Sequence, residues 1–309
     1  MKKIFHLILT LLISINIWSQ QDAQYTQYMY NMSVINPAYT TSTISTFNIG
    51  ATHRLQWVGV NGAPKTSNLF VHTAINNKIE VGFSLVNDNI GNVVQENNLS
   101  TDFAYKLDFE KKGQLSFGLK VGISFFDVDF SGFQLESGSV FTDPSFADNI
   151  HQSFFNIGAG IYYNTSTYYI GLSIPNFLRA NHLEENNGKY QGSEETHWFF
   201  TGGYVFELNK LFKLKPAFMA KAVKGAPISL DLTANMLYND KLELGIGYRL
   251  DESVIGLINF RVTPQLRLGY AYDHTTSNLG PFSSGSHEIL ILYSFNISNT
   301  SKQKSPRYF

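Results

Sequence analysis

The sequence predicts an all-β protein, a transmembrane antiparallel β-barrel of about fourteen strands with an N-terminal periplasmic or plug segment. Three observations predict it. The chain opens with an export signal, its composition is too aromatic and too poor in charge for a soluble domain, and its side chains alternate with period two.

Lys2 and Lys3 form a basic start, Ile4 to Trp18 an apolar run, and Ser19 precedes the polar Gln20-Gln21-Asp22. This pattern is a Sec-type signal peptide over residues 1–19, too short and wrongly flanked for a spanning helix. Past residue 20 no stretch approaches the roughly 18 consecutive apolar residues that a transmembrane helix needs. The mature chain is therefore expected to be Sec-exported and held in a membrane by strands.

Charged residues make up 15% of the 309, against about 25% in typical soluble domains. Aromatic residues also reach 15%, with 25 Phe and 17 Tyr. A barrel in lipid wants this composition, because its outer face is apolar and ringed by aromatics. A net charge of −1 argues against a nucleic-acid partner. The absence of cysteine excludes disulfides, thiolate nucleophiles and cysteine metal sites.

Alternation is clearest in Gln114–Phe125. Leu115, Phe117, Leu119, Val121, Ile123 and Phe125 interleave with Gln114, Ser116, Gly118, Lys120, Gly122 and Ser124. Successive side chains of a strand point to opposite faces, so one face here is apolar and the other polar or small. Ile228–Met236, Leu242–Leu250 and Leu266–Asp273 repeat the pattern.

In order, the expected strands are 43–54, 65–76, 78–88, 96–109, 113–127, 152–164, 167–174, 196–208, 212–222, 227–239, 241–249, 254–262, 265–273 and 286–296. Tight connections fall at Asn76-Asn77, Glu110–Gly113, Asn164–Ser166, Asn209-Lys210, Asn239-Asp240 and Thr263-Pro264. Longer ones fall at 55–64, 89–95, 128–151, 175–195 and 274–285, with short exceptions at 223–226 and 250–253. Short turns at one end and longer loops at the other is the outer-membrane layout, which puts both termini in the periplasm. Parity also constrains one hairpin. A two-residue loop at Asn239-Asp240 would mismatch the faces of its strands, whereas a three-residue loop, 238–240 or 239–241, restores them. The second choice sets Asp231 opposite Arg249.

The barrel is thus expected over 43–296. Residues 20–42 lack alternation, are interrupted at Asn36-Pro37, and suit a segment packed under or inside the barrel. Residues 297–309 form a polar tail.

Little suggests an enzyme. The mature histidines (53, 72, 151, 182, 197, 274, 287) show no HExxH or HxH spacing, and no GxSxG elbow, P-loop or Rossmann fingerprint is present. No catalytic residue, metal or cofactor is expected. Alternation assigns Lys120, Asp231, Glu243, Arg249, Arg261, Arg267 and Asp273 to the lumen. Arg249, Arg261 and Arg267 lie on successive strands, so they form either a basic patch for an anionic ligand or part of a bracing charge network. The first long loop is rich in recognition residues: His53, Arg54, Gln56, Trp57, Gly59, Gly62 and Pro64. The alternative is a rim loop with its Trp in the interfacial aromatic belt.

Two stretches carry a family resemblance. The first is Gln21-Asp22-Ala23-Gln24-Tyr25-Thr26-Gln27-Tyr28-Met29-Tyr30-Asn31 with Ile35-Asn36-Pro37-Ala38-Tyr39. The second is His53-Arg54-Leu55-Gln56-Trp57-Val58-Gly59 with Gly62-Ala63-Pro64-Lys65-Thr66. Together with the terminal Ser305-Pro306-Arg307-Tyr308-Phe309, they resemble PorP/SprF-family proteins, outer-membrane components of the Bacteroidetes type IX secretion system. Ala23, where the family often has Pro, and Met32-Ser33 depart from the pattern. The resemblance implies a non-enzymatic component that assists secretion or surface anchoring of large adhesins, in some members for gliding motility. It implies binding of the adhesin's type IX C-terminal domain through loops and lumen, and contact with other type IX secretion subunits on the periplasmic side. Tyr25, Tyr28, Asn36 and Pro37 join the loop residues as candidate partner contacts. A fatty-acid-channel-like transport barrel for hydrophobic solutes is the alternative, since fourteen strands and a plug suit it too. A secreted lectin-like sandwich is a third.

Overall fold

A computed structural model describes residues 23–39, 46–91, 93–109, 113–132, 149–178, 181–184, 190–193 and 195–296. The expected signal peptide, residues 20–22 and the tail 297–309 lie outside the described residues. In chain order the strands are β1 (Thr46–Leu55), β2 (Lys65–Ala74), β3 (Ile79–Ile90), β4 (Val94–Asp108), β5 (Gln114–Val128) and β6 (Ile150–Asn164). Then come β7 (Tyr168–Ile174), β8 (Asn181–Glu184), β9 (Tyr190–Ser193), β10 (His197–Tyr204), β11 (Phe206–Glu207) and β12 (Phe212–Val223). The last are β13 (Ser229–Tyr238), β14 (Leu242–Arg249), β15 (Ser253–Arg261), β16 (Leu266–Thr275) and β17 (Ser286–Asn296).

Each wall strand pairs antiparallel with its neighbours, and β1 closes on β17 from Thr46↔Asn296 to Leu55↔His287. β10 and β11 both pair with β12 as one strand interrupted at Val205, while β8 and β9 form a separate hairpin. The wall therefore has fourteen strands. All-β closure is what the alternation demands, because a closed sheet leaves no unpaired edge facing lipid. In β5, Leu119 and Val121 point outward at 58% and 59% exposure, whereas Ser116, Lys120 and Ser124 are buried inside. Such an outside is stable only against hydrocarbon.

Tight turns and the starts of β1 and the ends of β17 share one end of the barrel, here the turn end. The other is the loop end. The Asn239 hairpin adopts the loop 239–241: Tyr238 pairs with Leu242, and Asn239 and Asp240 take left-handed φ of 49° and 54°. The Lys241 N–H closes the turn on the Tyr238 carbonyl at 3.0 Å. Most strand boundaries fall within two residues of expectation, and one connection differs in kind. The loop expected at 89–95 shrinks to a turn, because β3 and β4 run on to Ile90 and from Val94. Their outward residues here are Asn87, Asn89, Gln95 and Asn97, with Asn87 bonded to Asn97 at 2.8 Å. Beyond lipid the outer face turns polar, and the alternation that marks a lipid-facing strand disappears. β1 runs through His53 and Arg54, as its expected span does, so these two recognition candidates belong to the wall rather than to the loop.

Eight strands enclose about the space that wall side chains can fill, so fourteen leave an interior that needs another occupant. Residues 23–39 supply it. A 3₁₀ turn (Tyr28–Tyr30) and a four-residue helix α1 (Met32–Ile35) lie inside the barrel. Tyr28, Met29, Tyr30, Met32 and Ile35 pack there with Phe70, Tyr162, Tyr169 and Leu290 into the core.

Candidate functional site

The N-terminal segment is the one element of the described structure surrounded by polar lumen chemistry, and three sets of contacts hold it. At the loop end, the Thr26 and Gln27 N–H groups donate to Glu288 at 2.7 and 2.8 Å. The Arg54 guanidinium meets Asp273 at 2.8 Å and donates to the Thr26 hydroxyl at 2.6 Å, and that hydroxyl bonds Asp273 in turn. Arg249 grips Asp231 through two N–H donors at 2.8 and 3.0 Å and donates to Gln24 at 3.1 Å. Bidentate pairing with further hydrogen bonds is the geometry that lets such charges sit out of water.

Nearer the turn end, Tyr30 is clamped. Its hydroxyl bonds Glu243 and accepts from Arg267 at 2.7 Å. Arg267 also pairs with Glu243 at 2.9 Å and lies 5.0 Å from the Tyr30 ring centroid, a cation–π contact. On the far wall, Lys120 donates to the Ser33 carbonyl at 3.2 Å while pairing with Asp102 at 3.1 Å. Ser173 donates to the Ile35 carbonyl at 2.9 Å, and Asn36 donates to the Ile161 carbonyl at 3.2 Å. Here the wall is paved with glycine. A Cβ on Gly118 would strike the backbone of Pro37 and Ala38, and one on Gly160 would strike Asn36. The missing side chains let the segment's backbone lie against the sheet.

The loop 56–64 is folded onto its neighbours. The Val58 N–H donates to the Gly285 carbonyl at 2.8 Å, Ser284 returns a bond to the Val58 carbonyl at 2.7 Å, and Gly91 donates to the Gly62 carbonyl at 2.9 Å. Trp57 takes a left-handed φ of 45° with its N–H on the Ser286 hydroxyl.

The candidate partner contacts thus divide. Arg54, Gln56, Tyr25, Tyr28, Asn36 and Pro37 are buried, with Arg54 and Asn36 in hydrogen bonds between the segment and the wall. His53 points out from the wall and bonds Ser67 at 2.9 Å. Gly59 and Gly62 are exposed, Trp57 and Pro64 half-buried, on the loop-end rim. Lys120, Asp231, Glu243, Arg249, Arg267 and Asp273 line the lumen, and Arg261 is half-buried at the turn end of β15. The three arginines make no common basic patch. Arg249 sits at the loop end, Arg267 and Arg261 at the turn end, and the first two are matched by carboxylates.

Sequence reasoning missed the Glu80–Lys106 pair (2.7 Å), Asp102, Lys215 and Glu288, all inside the barrel. Each has the inward parity of its strand, so the signal was present. Arg54 shares the parity of Asn48 and Thr52, both buried. Direction was invisible, however: a segment packed under or inside the barrel was expected, and its first described residues lie at the loop end beside Glu252. A stretch without alternation carries no marker of which way it runs. Outside the wall strands, the Asp129 carboxyl is held below the usual carboxylate range by the Ser131 hydroxyl and N–H.

The profile of the family described as "Type IX secretion system membrane protein PorP/SprF" matches residues 17–293. The chain belongs to the PorP/SprF family. No functionally curated protein matches it. Among solved structures, this PorP/SprF protein is similar to "CymD monoaromatic hydrocarbon channel" at 11% identity and TM-score 0.51, over 89% of this chain and 94% of that one. It is similar to the Ralstonia pickettii toluene transporter TbuX at 11% identity and TM-score 0.51, over 86% and 93%. The P. putida toluene transporter TodX aligns at 9% identity and TM-score 0.50, over 87% and 95%. At such identities the likeness concerns the fold alone. The protein is an outer-membrane β-barrel of the type IX secretion system, and its barrel resembles outer-membrane channels.

Proposed function

We propose that this PorP/SprF protein is a non-enzymatic accessory that helps secrete or anchor a large adhesin by binding the adhesin's C-terminal domain at its loop end. The loop end faces outward, and the turn end, where β17 finishes, faces the periplasm and other type IX subunits. The observation that carries this reading is the filled lumen. Buried ion pairs and hydrogen bonds fix the protein's own residues 23–39 across the interior, so its working surfaces are its two ends. Deleting the gene while following the adhesin on intact cells tests it. Loss of surface display is expected, and undiminished display would sink the proposal.

Passage of hydrophobic solutes is the second reading, favoured by one feature. After β7 the chain turns inward at Pro175, against Gly158 of the wall. Behind that turn, however, stand Ser173, Asn36 and the charges that hold the segment. Uptake of a labelled monoaromatic hydrocarbon that depends on this protein would favour it.

A further inference from the structure

One seam of the wall is not closed like the others. β6 has fifteen residues and β7 only seven, and their pairing starts at Ala159↔Ile174. Residues 150–158 of β6 are paired to β5 on one side, from Val128↔Ile150 onward. On the other side β7 has ended, and the chain crosses over with one bond, the Phe177 N–H to the Ile157 carbonyl at 2.7 Å. In an antiparallel strand, alternate residues turn both backbone groups to the same side. Ile157 therefore fixes which residues face the seam: His151, Ser153 and Phe155. Among the described residues their N–H and C=O groups have no partner.

The surroundings of this edge separate it from a fraying strand end. β3 to β6 are all long and stay paired to one another up to their loop-end residues, so the edge is backed by a four-stranded crest. The outer face of the crest is polar, with His151 on Asp127 at 2.6 Å. Near its tip the inner face carries an apolar cluster of Phe126, Val128 and Phe130. Phe155 projects from the edge at 73% exposure. Directly below, an apolar cavity of about 490 Å³ opens on the outer wall, lined by Phe103, Phe117, Leu119, Leu172, Phe177 and Trp198. An open row of backbone donors and acceptors recognises another extended backbone, and a neighbouring pocket takes one of its large side chains.

We infer that the β6 edge, His151 to Ile157, is a docking site at which an extended segment of the secreted protein adds as a strand. The inference rests on the adhesin-accessory reading above and says how that partner is held: by backbone pairing at the seam, with an apolar side chain in the cavity beneath.

Ser153 offers a selective test, because its N–H faces the seam and not the β5 ladder. Ser153→Pro removes that donor and keeps the wall pairing, a placement proline tolerates on edge strands. Ser153→Ala keeps the donor. The probe is the purified C-terminal domain of the adhesin whose display depends on this protein. Binding is expected to weaken about tenfold or more in Ser153→Pro and to hold in Ser153→Ala. Both variants should keep heat-modifiable migration. In the unaltered protein, amide exchange at residues 151, 153 and 155 should slow when the domain is bound, a readout that needs no variant. Wild-type binding by Ser153→Pro, or a complex without that protection, overturns the inference. A dimer that Ser153→Pro converts to monomer overturns it too, since a second copy would then cover the edge. If gene deletion abolishes display but Ser153→Pro displays normally, strand addition fails and the accessory role stands. If deletion leaves display intact, the accessory role itself fails.

Discussion

Arg54 concentrates the residue-scale argument. It lies at 1% exposure between Asp273, Glu288 and the Thr26 hydroxyl, and it joins the second signature stretch to the first. Removing one partner of a buried ion pair strands the other charge and costs about 3–5 kcal/mol. Arg54→Ala is therefore expected to lower the unfolding midpoint in urea clearly. Arg54→Ala combined with Asp273→Ala should lose less than the sum of the two single changes, because neither charge is left alone at that contact. Additive losses would mean that water reaches the site and the pair is loose. Gly118 argues the same point through shape. Gly118→Val drives a side chain into Pro37 and Ala38, an overpacking worth about 1–3 kcal/mol. With Ala38→Cys as reporter, maleimide labelling should be faster in the Gly118→Val background, and an unchanged rate would show that the segment does not rest on this glycine. Arg54 also marks what the sequence withheld. Its parity and its place at the end of an expected strand say lumen, but its partners Thr26, Asp273 and Glu288 come from distant parts of the chain that no local pattern joins.

At the scale of elements, legibility followed the solvent. Wherever a strand separates lipid from a polar lumen, as β5 and β13 to β16 do, period two shows directly in the residues. Parity even narrowed the Asn239 hairpin to three residues. The crest of β3 to β6 was expected one or two residues short of its tips, where Asn89, Gln95 and His151 replace apolar residues on the outer face. The segment 23–39 lacks alternation, so the expectation of a segment under or inside the barrel left its path open. It adopts no regular element longer than α1, and the wall around it dictates its path. The hairpin supplies its own prediction. Asn239 holds φ 49°, which asparagine tolerates and a β-branched residue does not. Asn239→Val should cost about 1–2 kcal/mol by that penalty, and Asn239→Gly should cost little or stabilise. Thermal migration shifts of the two variants relative to the parent check the order, and equal shifts would mean that the turn readily takes another form.

The whole molecule poses a question of balance between a wide wall and its filling. Fourteen strands leave a lumen that wall side chains cannot close, and the wall itself presents Asp231, Glu243, Arg249, Arg267, Asp273 and Glu288 to that space. With residues 23–39 in place these charges pair with one another and with the segment, and the core cluster spans the interior. Without it, the same charges would face a cavity that must fill with water, since isolated ions cannot stay dry. The barrel should survive the loss, because its ladders from β1 to β17 do not run through the segment. Removing residues 23–39 behind the intact export signal is thus expected to leave a heat-modifiable barrel with a lower unfolding temperature. In a planar lipid bilayer the full chain should give no steady conductance steps, and the shortened chain should give ion-conducting ones. Arg54→Ala, which loosens the segment without removing it, should flicker between the two. A shortened chain that stays silent would transfer the seal from the segment to the loop-end connections. In that case the contacts of Val58 with Gly285, and not those of Thr26 with Glu288, would be what closes the protein.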